Sequence, residues 1–598
     1  MKTIKAFVKK YASNFTFFYL HLRYRMLISM GLSISVGLLD GLGLAMFLPL
    51  LRVASGEGAA AEEGLGNLSF LVDAMESLGI GLTITSVLMV MLFFFVLKGI
   101  AKFIEAVYKL TMSQYFSRKI WLENIASFTN FKYKSFVSTD VGRIQNTLGA
   151  EIHKVMAAYT AYFNAMQNVI MVVVYTFLAF VTNPQFALLV LIGGMLSNAV
   201  YRGIYRKTKE ESRKITKYGH SMVSLLTQKI MNYKYLKATA FIYPYADRMR
   251  QVLYKSQEAS RKIGMYNAIL TASKEPIVVA VVVMVIIIQI QVFSASLAPI
   301  ILSLLFFYRS LTFLMVLQNQ WNQFMNHSGA MENMTSFVKE LKEGKEQYGK
   351  RRIERLENQI ELRQADFFYG ETQILKNINL RIARNQTIAF VGESGSGKTT
   401  LVNMLAGLMK TDKGEMLVDG VSANELYTPS YQRRIGYITQ EPVIFADTVF
   451  NNVTFWAEKT PENLARFYDA LRKASIDEFI KTLPKKEEAL LGHNGILISG
   501  GQKQRISIAR EIYKDVDILI MDEATSALDS ETERTIQTNI DRLKGQYTIL
   551  IVAHRLATIK NADQVILLKG GKIDCVGNFE ELKIASPAFE KMVELQEV

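Results

Sequence analysis

The chain is almost without cysteine: Cys575 is the only one among 598 residues. That excludes a disulfide framework and any zinc site built on several thiolates. Charge is scarce as well, 21% Asp, Glu, Lys and Arg against 50% hydrophobic residues. Disordered chains combine low hydrophobicity with high charge, so this composition excludes disorder. No cleavable signal peptide is expected. The opening MKTIKAFVKKYASNFTFFYLHLRYR intersperses charge and has no small-residue cleavage site.

What the chain has in excess is positive charge, a net +15. A basic, apolar chain is either a nucleic-acid binder or a membrane protein with basic cytosolic loops. The distribution separates the two. Residues 1–350 hold 37 Lys and Arg against 19 Asp and Glu, whereas residues 351–598 hold 32 against 35. The excess therefore lies wholly in the first half, which also carries the long apolar runs. About 20 helical residues cross the ~30 Å hydrocarbon core. Runs at 26–51, 80–108, 157–181, 185–204, 267–292 and 295–318 predict six spans. The third and fourth are joined by the tight Thr182-Asn183-Pro184-Gln185 turn.

Orientation follows from the basic residues. Segment 52–79 has Arg52 against five acids and reads as external, while segment 202–266 has fifteen Lys and Arg and reads as cytosolic. Both termini are then cytosolic, no nucleic-acid partner is expected, and the spanning helices should run on beyond the bilayer. Residues 1–25 mix Phe15, Phe17, Phe18 and Tyr19 with Lys and Arg. That pattern fits an interfacial helix or a plain extension of the first span. The expected fold is thus an all-α six-helix transmembrane domain over 1–335 with long cytosolic extensions. A charged helical linker, 336–359, joins it to an α/β domain over 360–598, where short β-branched strands alternate with helices.

The second half carries the chemistry. Ile388–Val391 reads as a buried strand. It runs into Gly392-Glu393-Ser394-Gly395-Ser396-Gly397-Lys398-Thr399, with Thr400 opening the helical stretch beyond. Glycines there let backbone N–H groups close on phosphate oxygens, and the helix N-terminus adds partial positive charge. Lys398 would reach the β/γ-phosphates of ATP and Thr399 would ligate Mg²⁺. A second strand, Ile518–Met521, ends in Asp522 and Glu523. Asp522 there can hold Mg²⁺, and Glu523 can polarise an attacking water. Between them, Ser499-Gly500-Gly501-Gln502 opens a helix as an anion-binding nest.

These motifs, in this order, resemble the ATP-binding cassette (ABC) family, and the resemblance covers the whole chain. Residues 1–335 resemble its six-helix exporter-type membrane domain, and 360–598 its nucleotide-binding domain. The resemblance implies that Tyr369 stacks on adenine and that Gln440 senses Mg²⁺ and couples to the membrane domain. It also implies that Ser499–Gln502 clamps the γ-phosphate of the opposite subunit's ATP. By the same resemblance Asp529 would mark the D-loop, and His554 would contact the γ-phosphate and hold Glu523 in geometry. Two positions depart from the family pattern. Ile498 replaces Leu before the signature, a volume-conserving change. His493 stands where exporters usually carry Glu, which bears on coupling. With one nucleotide-binding domain and no internal repeat, the resemblance implies a half-transporter whose sites complete in a dimer, expected to be a homodimer. The segments TNFKYKSFVSTDVGRI and MNYKYLKATAFIY resemble coupling helices, or are ordinary surface.

Charged residues within spans are costly, about 2.5–3.5 kcal/mol each, so they mark function or pairing. Asp40 lies midway in the first span and Arg309 in the sixth. Arg309 is either a cavity cation for a phosphate-bearing substrate or a partner of Asp40. Snorkelling is expected for Lys98 and Glu105. The stretch GLLDGLGLAMFLPLL is similar to the first helix of the bacterial lipid-linked oligosaccharide flippase subgroup. That implies an amphiphilic, lipid-like substrate moved across a bacterial cytoplasmic (inner) membrane. A peptide or drug exporter, and a non-transporting membrane ATPase that regulates another protein, are the alternatives.

Overall fold

The structure, a computed structural model, describes residues 15–47, 49–50, 53, 75, 77–182, 184–291, 297–522, 530–553 and 559–597. It divides into two compact units, Met1–Phe131 with Ser138–Lys345 and Lys132–Val137 with Glu346–Val598.

The first unit is helical. Its main helices are α1 (Tyr24–Ala45), α2 (Ile84–Thr129), then, beyond the short α3 (Tyr133–Val137), α4 (Val141–Leu148), α5 (Ala150–Thr182), α6 (Pro184–Met231), α7 (Tyr233–Ala238), α8 (Ile242–Ala272), α9 (Lys274–Gln291) and α10 (Leu297–Glu343). Helices cover most of the described part of each expected span, with residues 80–83 of the second and Ser273 in the fifth among those left out. Among the described residues, Tyr24–Ala45, Ile84–Thr129, Ala150–Val181 and Ile242–Ile288 are long and apolar enough to cross a membrane. Helices α2, α6 and α10 have 46, 48 and 47 residues. At 1.5 Å per residue each is about 70 Å long, more than twice the hydrocarbon core.

Local chemistry sets the boundaries the hydropathy pattern blurs. Helix α2 begins at Ile84 because Thr83 caps it. The Thr83 side chain accepts from the Ser86 N–H, and the Ser86 hydroxyl accepts from the Thr83 N–H. The fifth span is broken at Ser273, between α8 and α9. Pro276 lacks an N–H and its ring displaces the carbonyl four residues back, that of Ala272, where α8 ends. The stretch 336–359 is not one solvated linker. Its first two turns continue α10, with Phe337 and Leu341 buried against Phe131 and Ile144. Two apolar residues four apart suffice for one helix face.

Residues 15–22 are helical, and Arg23, at φ 50°, breaks the chain before α1. They form a separate amphipathic element, not a plain extension of α1. Phe18 and Leu22 are buried, whereas Tyr19 and Leu20 are exposed. Both expected coupling segments contain a short helix, α3 and α7. Helix α3 belongs to the second unit. There Lys134 lies 3.0 Å from Asp412 and 4.6 Å from the Phe367 ring centroid, and Tyr133 packs on the core.

The second unit holds β1 (Gln359–Tyr369), β2 (Thr372–Ala383), β3 (Thr387–Val391), β4 (Lys413–Val418), β5 (Val421–Ser422), β6 (Ile435–Ile438), β7 (Ile518–Asp522), β8 (Thr548–Val552), β9 (Gln564–Lys569) and β10 (Lys572–Gly577). One sheet is ordered β2-β1-β4-β5 and antiparallel, the other β10-β9-β3-β8-β7-β6. In the second, every pairing from β9 to β6 is parallel. All residues of β3 and β8 are buried, as parallel strands covered on both faces require. Ile388 and Phe390 enter one core cluster, and Ala389 and Val391 the other. That is the two-residue alternation of a strand.

Candidate functional site

The phosphate loop leaves β3 at Gly392 and ends where α11 (Lys398–Leu405) begins. Only glycine fits at its tightest points. Gly392 has φ 143°, and a Cβ there would lie 2.2 Å from the Leu568 carbonyl oxygen. Gly397, at φ 102°, caps α11, and its Cβ would meet Leu375 at 2.8 Å. With no side chain in the way, the loop N–H groups and the N-terminus of α11 stay open to an anion. The Lys398 ammonium is buried and donates to the carbonyls of Gly392 (2.7 Å) and Glu393 (3.0 Å). Among the described residues the buried Ser396 hydroxyl has no partner. Glu393, Ser394, Gly395 and Thr399 are exposed, and Thr400 is half-buried. An open backbone cradle, a folded-in ammonium and a hydroxyl without a partner among the described residues fit a polyphosphate.

Sheet register brings the acidic element to the same edge. Phe390 on β3 and Asp522 on β7 both pair with Val552 of the intervening β8. At ~4.8 Å between strands, Asp522 therefore stands about 10 Å from the root of the phosphate loop. A carboxylate at this edge offers the hard oxygen donor that Mg²⁺ takes, one or two protein carboxylates sufficing for that ion. The Tyr437 hydroxyl lies between Asn403, to which it donates at 3.1 Å, and an Asp522 oxygen at 3.5 Å. Burial, reinforced by Asp522, raises the Tyr437 pKa, so the hydroxyl remains a donor at neutral pH. Gln440 is exposed two residues past β6, the strand beside β7. Glu523, Asp529 and His554 lie outside the described residues.

Tyr369 ends β1 half-buried, edge-on to Phe367 at 5.0 Å, its hydroxyl 3.4 Å from the Met409 sulfur. Ser499 caps α12 (Gly500–Tyr513). Its hydroxyl accepts from the Gln502 N–H at 3.3 Å, and the Gln502 side chain accepts from the Ser499 N–H at 2.9 Å. Gly500 is exposed and Gly501 half-buried at this helix start. His493 is exposed in the turn just before.

Arg510, Tyr437 and Asn403 were not anticipated. Arg510 is 4% exposed and donates to the carbonyls of Asn452 (2.6 Å) and Val443 (2.7 Å). It thereby ties α12 to the segment that follows Gln440. A charged residue among Ile506, Ile508, Ala509 and Ile512 was the available signal.

In the first unit Asp40, 3% exposed, gathers charges from separate helices. Lys98 of α2 pairs with one of its oxygens. Tyr175 of α5 donates to the other at 2.6 Å, and Arg309 of α10 lies 3.7 Å from it. Snorkelling is therefore overturned for Lys98. It is overturned for Glu105 as well, which is buried and takes hydrogen bonds from Ser33 and Gln167 with Lys109 at 3.4 Å. Arg309 is a partner of Asp40, yet among the described residues its buried Nε has no acceptor, and its side chain is 42% exposed.

Comparison with known proteins agrees with this arrangement. Residues 26–325 match the family model of the ABC transporter transmembrane region, and residues 375–526 that of the ABC transporter. An ATP-dependent lipid A-core flippase of Syntrophus aciditrophicus (strain SB) is 40% identical over 244 residues, 41% of this chain and 40% of that protein. A protein of the same name from Francisella novicida is 38% identical over 234 residues, 39% of each chain. The matched stretches thus span about two-fifths of these relatives. A solved bacterial Atm1-family ABC exporter with ATP bound shares the fold, with a TM-score of 0.76 and 20% identity over 96% of this chain and 98% of that one.

Proposed function

The chain belongs to the ABC transporter family, and from that premise we propose that it hydrolyses ATP to move an amphiphilic lipid across the membrane as a homodimer. The observation that carries this reading is the shared sheet edge. The phosphate loop and Asp522 stand one strand apart, in a chain whose other unit consists of long apolar helices. Lys398 and the loop N–H groups would bind the phosphates. Thr399, Asp522 and Gln440 would hold Mg²⁺, which neutralises phosphate charge when bound. Glu523 would orient the water, and His554 would position Glu523. Ser499–Gln502 would face the partner's nucleotide, with Asp529 beside that interface. Alternating access then follows from closing and parting the two ATPase domains.

The lipid reading has two supports. Two relatives are named as lipid A-core flippases. The Asp40 cluster holds two cations against one carboxylate, an excess suited to a phosphate-bearing head. The site would act from a cytoplasmic membrane with the ATPase domain in the cytosol. Purified protein in liposomes tests this. ATP-dependent transfer of a lipid-linked sugar or phospholipid between leaflets is expected, and Glu523→Gln should bind ATP without turnover. Hydrolysis stimulated by peptides but flat across all lipid-linked substrates would overturn the substrate class. Unchanged turnover in Glu523→Gln would overturn the site.

A further inference from the structure

Between the start of α1 and the middle of α2 lies a half-open cavity of about 400 Å³, lined by Arg25, Tyr108, Thr111, Met112, Gln114, Tyr115 and Arg118. Positions 108, 111, 115 and 118 recur at intervals of three and four, so they share one face of α2. The break at Arg23 swings residues 15–22 out of line with α1, and two bonds hold this elbow on α2. The Tyr108 hydroxyl donates to the Arg25 carbonyl at 3.2 Å, and the Lys119 ammonium donates to the His21 carbonyl at 3.0 Å. The Arg25 guanidinium lies 3.7 Å over the Tyr115 ring centroid. Stacking occupies one face of the guanidinium and leaves its N–H edge free to point outward.

Among the described residues no carboxylate pairs with Arg25 or Arg118. The acids nearest along α2 are already engaged, Glu123 with Lys119 and His21, and Glu105 with Lys109. Residues 1–14 contain four lysines and no acid. On the membrane side the cavity is bordered by exposed Leu27 and Ile28 of α1 and by exposed Phe103, Ile104, Val107 and Leu110 of α2. It therefore sits where apolar surface gives way to basic surface, the depth of lipid headgroups.

We propose that this cavity binds the phosphate of an anionic glycerophospholipid from the adjoining leaflet. Arg25 and Arg118 supply the charge, Gln114 supplies a neutral donor, and the acyl chains lie along the exposed α1–α2 surface. The site lies apart from the Asp40 cluster, and the proposal is independent of what is transported.

The full-length protein in detergent is titrated with dioctanoyl phosphatidylglycerol, dioctanoyl phosphatidylcholine or inorganic phosphate, and the thermal midpoint is read. Saturable stabilisation by phosphatidylglycerol alone is expected. Arg25→Gln with Arg118→Gln should weaken it about tenfold or more, the scale of a lost charge-assisted bond. Arg118→Gln alone, at an exposed position that leaves folding intact, should weaken it in the same direction. Arg248→Gln with Lys255→Gln removes the same charge from exposed positions on α8 and should leave binding unchanged. Equal weakening by both double variants would overturn the site as diffuse electrostatics. Equal stabilisation by phosphatidylcholine would overturn the charge requirement, and saturation by phosphate at the lipid's concentrations would overturn the lipid as occupant.

Discussion

At Gly392 a single methyl group decides whether the phosphate loop can form. Alanine there would bring its Cβ 2.2 Å from the Leu568 carbonyl, at a φ of 143° that L-residues rarely adopt. Gly392→Ala should cost about 1–3 kcal/mol of strain. It should lower the thermal midpoint of the ATPase unit and abolish ATP binding, both readable by calorimetry with and without nucleotide. Arg434 and Asp517 give a second test, through pH. Burial raises the Asp517 pKa, but hydrogen bonds from Arg434 (2.8 and 2.9 Å) and the Leu356 N–H (2.8 Å) outweigh it and hold the group below its ordinary value. Such a depressed carboxylate stabilises the fold above its unfolded pKa, and the contribution is lost as pH falls through the folded pKa. Arg434→Gln should therefore cost about 1.5–3 kcal/mol near neutral pH. The gap from the parent should close as pH drops below about 4, in thermal midpoints measured across pH.

Between elements, buried charge links helices that hydrophobic patterning treats as independent. Asp40 is satisfied by α2, α5 and α10 together, so Asp40→Ala strands two cations. A loss of about 3–5 kcal/mol is expected, as for breaking a buried pair from one side. Replacing all three charges, Asp40→Leu with Lys98→Met and Arg309→Met, should recover most of that stability. Thermal unfolding in detergent compares the two, and transport assays then separate the roles of Arg309. Restored stability without transport of an anionic lipid marks a substrate contact; restored transport leaves Arg309 as scaffold. The start of the Ser499 helix was legible, since Ser is an ordinary cap and two glycines follow it. The break at Ser273 and the burial of Phe337 were not, because one proline and two apolar residues are minor features in long runs.

For the whole molecule, the decisive expectation is that each nucleotide site is shared between two chains. If Lys398 acts on one ATP and Ser499 on the partner's, chains carrying Lys398→Ala and chains carrying Ser499→Arg should be inactive alone. Co-assembled, they should complement, because a mixed dimer retains one intact site. Random equal mixing predicts about a quarter of the wild-type sites. A chain carrying both substitutions, mixed with wild type, yields no intact site in mixed dimers. ATPase assays on co-expressed, doubly tagged dimers measure both cases. Activity in mixed dimers of the doubly substituted chain with wild type, and none in the first mixture, would place both motifs at one chain's own site.

The sequence by itself determined what rests on contiguous residues. The phosphate loop, the Asp522 strand, the capped Ser499 helix and the basic membrane half are local patterns whose chemistry depends on near neighbours. Tertiary structure decided which distant residues share a site. Asp40 meets Arg309 across 269 positions of chain, Arg510 meets Val443 across 67, and Arg25 stacks on Tyr115. Periodicity shows which face a helix buries, but the crossing geometry of helices and the register of strands select the partner on that face. A charge in a span therefore announces a cost, and only packing reveals what meets it.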